Sequence, residues 1–80
     1  MSNSERLETA IKEPDAFVAA RALAIELRNI GMTQSEMQKL FDDARQRHST
    51  DPDERSYNAI LDVMDLINGW CSPGIEIYSP

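Results

Sequence analysis

Residues Ile30-Gly31-Met32-Thr33-Gln34-Ser35-Glu36 hold a helix stop and a helix start side by side. Glycine has no Cβ to clash in the left-handed conformation that closes a helix, so Gly31 marks the end of the segment before it. Thr33 and Glu36 have the spacing of a capping box. The threonine hydroxyl can accept the backbone N–H of Glu36, and the glutamate carboxylate can accept that of Thr33. Two helices therefore meet here with only a tight turn between them.

Upstream, Phe17, Ala20, Ala24 and Leu27 recur at steps of three and four, and Leu23 and Ile30 widen the stripe. This predicts an amphipathic helix over 15–30, with Pro14 separating it from a short N-terminal helix over 4–12. In that first segment Ser4 is the candidate cap, and Leu7, Ala10 and Ile11 share a face. Downstream, Met37, Leu40, Phe41 and Ala44 form the apolar stripe of a helix over 34–48, which ends in polar Arg45-Gln46-Arg47-His48-Ser49-Thr50. Asp51-Pro52-Asp53-Glu54 repeats the start signal, with Asp51 as cap and Pro52 in the first turn. The helix that follows, over 52–70, places Tyr57, Ile60, Leu61, Met64 and Ile67 on one stripe, extended by Val63 and Trp70. It is the most apolar of the four and is taken as the centre of the core. Pro73-Gly74 forbids its continuation, so 72–80 reads as an extended tail lying across the helices.

Together these signals predict an all-α fold, a single domain spanning 1–80. It is a small bundle of three main helices plus a short N-terminal one, joined by short connections. A chain of 80 residues buries only about 60 to 65 % of its unfolded surface, so a modest core must hold it. No apolar run approaches the length of a membrane span, and the first residues lack the basic-then-apolar order of a secretion signal, which points to a cytoplasmic protein. Cys71 is the single cysteine, which removes any intrachain disulfide and any thiolate zinc cluster.

Catalytic chemistry finds little to work with. His48 is the lone histidine and stands at a helix end, where a positive imidazole favours the negative end of the dipole. Cys71 reads as a small buried hydrophobe and not as a nucleophile paired with His48. The acidic group from Asp51 fails as a calcium loop, because Ser56 and Asp62 occupy the positions that need glycine and a bidentate glutamate. There is no glycine-rich phosphate loop. We therefore expect no enzyme activity, no cofactor and no resident metal.

Charge is the more informative property. The net charge is −6, and it is uneven: residues 41–80 hold eight acidic side chains against Arg45, Arg47 and Arg55, with no Lys or Arg after Arg55. Such a surface repels phosphate backbones and attracts a basic one. Asn58, Asp62 and Asp65 fall on one outward stripe of the last helix, and Asp42 and Asp43 lie on the polar side of the third. Trp70 and Tyr78 supply large rings near the same end, the pattern of anchors inside a charged rim. These seven residues are the candidate partner-binding set.

The segment Ile60-Leu61-Asp62-Val63-Met64-Asp65-Leu66-Ile67-Asn68-Gly69-Trp70-Cys71-Ser72-Pro73, with the size, acidity and helical build, resembles small bacterial immunity proteins, including those paired with contact-dependent inhibition toxins. The resemblance implies a cytoplasmic protein that neutralises a toxin domain, often a nuclease, by covering its basic surface. Two other readings compete. One is a homodimeric structural or regulatory module paired through its fourth helix. The other is a helix-turn-helix DNA reader, in which Gln34 and Ser35 would face base edges.

Overall fold

A computed structural model describes residues 2–50 and 54–69. Four helices follow one another, α1 (Asn3–Ala10), α2 (Ala16–Asn29), α3 (Gln34–His48) and α4 (Glu54–Asn68), and the fold is all-α. The tail over 72–80, the Asp51-Pro52 cap, Trp70, Cys71 and Tyr78 lie outside the described residues.

Each helix start has a visible cause. Ser2, and not Ser4, caps α1, because Glu5 stands three residues after Ser2; the Ser2 side chain accepts from the Glu5 backbone N–H. Asp15 caps α2 by accepting from Val18, which leaves Pro14 just outside the helix. The box at Thr33 forms as read, with the Glu36 N–H on Thr33 Oγ1 at 3.2 Å and the Thr33 N–H on Glu36 Oε1 at 3.1 Å.

The α2–α3 turn satisfies the last carbonyls of α2 in sequence. The Gly31 N–H reaches Arg28 O and the Met32 N–H reaches Leu27 O, both at 3.0 Å, with Gly31 at φ 105°. This pairing is the Schellman arrangement, and Met32 packs onto the core that Leu27 enters. The chain turns outward one residue earlier than its stripe suggests. Ile30 becomes the C-cap and is 72 % exposed instead of buried. Gly69, at φ 78°, likewise stops α4 at Asn68, two residues short of the predicted end.

Packing places α4 against both α2 and α3, while α1 packs on α2 and α3. The core takes Leu7 and Ile11 from the N-terminal segment, Ala20, Leu23, Ala24 and Leu27 from α2, and Met37, Leu40, Phe41 and Ala44 from α3. From α4 it takes Ile60, Val63, Leu66 and Ile67. The buried arc of α4 is thus rotated from the predicted stripe. Wedged between two helices, α4 turns Ala59 toward α2, where it lines a cleft with Ala16 and Phe17. Tyr57, Leu61 and Met64 are left half-buried. No helix among the described residues is long and apolar enough to cross a membrane.

Candidate functional site

The outer side of α4 carries the arrangement that most needs a functional account. Residues spaced by three and four share a helix face, and Glu54, Asn58, Asp62 and Asp65 are all exposed along about three turns. Among the described residues no cation pairs with Asp62 or Asp65 at salt-bridge distance. Beside this acidic row runs the half-buried ridge of Tyr57, Leu61 and Met64. Met64 packs against the core, and Tyr57 and Leu61 lie half-buried at its margin, so apolar area borders the acidic strip.

Asn58 and Asp62 also line a cleft of about 420 Å³ between α4 and the α1–α2 turn, floored by Ile11 and Phe17 and rimmed by Lys12 and Glu13. The Ser56 hydroxyl donates to the Ile11 carbonyl at 3.1 Å and so fixes the start of α4 against that turn. Arg55 of α4 also lines the cleft, which therefore carries charges of both signs.

The two aspartates of α3 do not join the row as a pair. Asp42 accepts two bonds from Arg45, at 2.9 and 2.7 Å, and one from Gln46 at 2.9 Å. The Arg45 and Gln46 hydrogen bonds hold its carboxyl below the usual aspartate range. Arg45 in turn is pushed up by Asp42 first, with Tyr57 of α4 a smaller contributor. The charge of Asp42 is therefore compensated. Asp43 is one step further round the helix, on the face shared with Arg47, which reaches Glu8 of α1. It points away from α4. Of the seven candidate residues, Asn58, Asp62 and Asp65 share the exposed face of α4, Asp42 lines a cleft with Met64 and Asn68 but is neutralised, Asp43 stands apart, and Trp70 and Tyr78 lie outside the described residues.

A second cluster had no signal in the sequence. His48 Nε2 lies 2.8 Å from Glu8 Oε1, and Arg47 donates to Glu8 Oε2 at 3.1 Å, joining the end of α3 to α1. Burial alone would raise the Glu8 carboxyl, but the hydrogen bonds from His48 and Arg47 outweigh it and leave the group below its ordinary value. Glu8 is forty residues from His48 in the chain, and no local spacing announces the contact. These side chains hold one another in place, which makes them tertiary fasteners. Among the described residues no group of three or more metal-binding side chains is assembled.

Gln34 and Gln38 close the other end of α3 onto α4. The Gln34 amide donates to the Ile67 carbonyl at 2.8 Å, satisfying one of the free acceptors at the end of α4, and the Gln38 amide donates to the Asn68 side-chain oxygen. No family model, no curated protein and no solved structure matches the chain.

Proposed function

We propose that this chain is a non-catalytic binding protein that neutralises a basic toxin domain, a nuclease in the leading version, by laying the outer side of α4 on the toxin's cationic surface. The observation that carries the reading is the uncompensated row of Asp62 and Asp65, with Glu54 and Asn58, beside the Tyr57–Leu61–Met64 ridge. Apolar area bordered by charge is the layout of an interface centre, and net negative charge speeds encounter with a positive partner.

The competing readings fit these contacts less well. Pairing α4 with its twin about a two-fold axis would bring Asp62 and Asp65 of one copy toward those of the other, and like charges oppose that contact. A base-reading role for Gln34 conflicts with the bond its amide makes to Ile67 O.

Coexpression with the open reading frames adjacent to its own is the direct test. A basic toxin domain should copurify and lose activity when bound. Asp62→Lys with Asp65→Lys should weaken the complex by on the order of 1–3 kcal/mol, roughly ten- to a hundredfold, with the wild-type affinity falling as salt rises. Affinity unchanged in the double variant refutes the α4 face. A chain that sediments as a stable dimer through α4 refutes the inhibitor reading itself.

A further inference from the structure

We propose that Asn68 and Gly69 form a self-modification site at which the chain converts its own asparagine into an aspartyl or isoaspartyl carboxylate through a cyclic imide. The chemistry belongs to the asparagine–glycine pair. The backbone nitrogen of Gly69 attacks Cγ of Asn68, forming the N–Cγ bond; the Cγ–Nδ2 bond breaks and ammonia leaves with the proton the nitrogen gave up. Water then opens the ring at either carbonyl. Hydrolysis at one gives aspartate, and at the other it reroutes the backbone through the side chain.

Four features of this site favour the step. Gly69 is exposed and has no Cβ to hinder ring closure, and its φ of 78° already takes the chain out of the helix. Among the described residues the Gly69 N–H donates to the Leu66 carbonyl at 3.4 Å, the weak end of hydrogen-bond geometry, so the attacking nitrogen is readily released. The Gln38 amide donates to the Asn68 side-chain oxygen, which draws electron density from Cγ and steadies the developing oxyanion. Ring closure also needs Asn68 to leave helical backbone geometry, and it stands at the last position of α4, where the helix ends.

The remaining asparagines outside this site form internal controls. Asn3 and Asn58 lie inside helices and precede Ser4 and Ala59, and Asn29 precedes the β-branched Ile30. Each has a following Cβ that Gly69 lacks.

The product changes α4 in a definite direction. A new carboxylate would stand at the negative end of the helix dipole, which disfavours it. It would also border the cleft that Asn68 shares with Lys39, Asp42 and Met64, adding charge beside the acidic row.

The full chain, incubated in mildly alkaline buffer and followed by peptide mapping with mass spectrometry, tests the proposal. Asn68 should gain the mass of deamidation, with separate aspartyl and isoaspartyl peptides, at least several-fold faster than Asn3, Asn29 or Asn58. Gly69→Ala should slow the reaction several-fold. Because alanine strains a positive φ, Asn68→Gln supplies the second arm: it leaves Gly69 untouched, and its longer side chain should suppress the mass gain at that position. Modification at Asn68 no faster than at Asn58, or an equal mass gain at position 68 in the Asn68→Gln chain, overturns the proposal.

Discussion

His48 Nε2 and Glu8 Oε1 lie 2.8 Å apart and join the last residue of α3 to the middle of α1. The contact makes stability depend on pH in a definite direction. Glu8 is depressed in the folded chain relative to its ordinary value of 4.5. Its contribution is therefore complete above that value and disappears as pH falls through the lower, folded one. Glu8→Gln should cost about 1 kcal/mol or less near neutrality, since the pair keeps some solvent contact. Urea unfolding of the variant and the parent should converge in strong acid. A difference that persists there removes the carboxylate as the cause.

Leu27 and Ile30 belong to the same apolar stripe of α2 but have opposite fates, Leu27 fully buried and Ile30 mostly exposed. Ile30→Lys should change stability by no more than about 0.5 kcal/mol. Leu27→Ala should cost about 2–5 kcal/mol, a large share of the stability of so small a domain. Urea midpoints measured side by side check both.

Gly31→Ala should lose about 1–2 kcal/mol, because an L side chain at φ 105° carries the left-handed penalty. Nothing stands within 4 Å of the added Cβ, so the loss is backbone strain alone. Gly31→Asn, which tolerates this conformation better, should recover part of it in thermal unfolding.

Thr33→Ala removes the hydroxyl that accepts the Glu36 N–H and should cost about 0.5–2 kcal/mol. Thr33→Ser should retain most of the stability. Amide exchange at Glu36 reports the cap directly, and equal protection in both variants would show that another group satisfies this donor.

Asp62→Asn and Asp65→Asn should leave the unfolding midpoint within about 0.5 kcal/mol of the parent, because no cation among the described residues pairs with either. The same substitutions should weaken capture of a basic partner. Stability loss without loss of binding would assign these carboxylates to the fold.

Local chemistry made much of this fold legible in the chain. Thr33 with Glu36, Gly31, and the stripe from Met37 to Ala44 act within a turn or two, so their spacing alone announces them. The Ser2 cap was equally readable, since Glu5 has the same offset from it as Glu36 from Thr33. The acidic row of Asn58, Asp62 and Asp65 follows from helical periodicity in the same way. What periodicity leaves open is the angle at which each helix meets its neighbours. That angle came from packing: α4 between α2 and α3 buried Ala59 and Leu66 and left Tyr57, Leu61 and Met64 at the edge. Tertiary placement alone also chose the partners of Glu8. Asp42 and Arg45, three residues apart on α3, pair by helical spacing, while Glu8 meets His48 across forty residues, because a charged side chain pairs with whatever the folded backbone brings within reach.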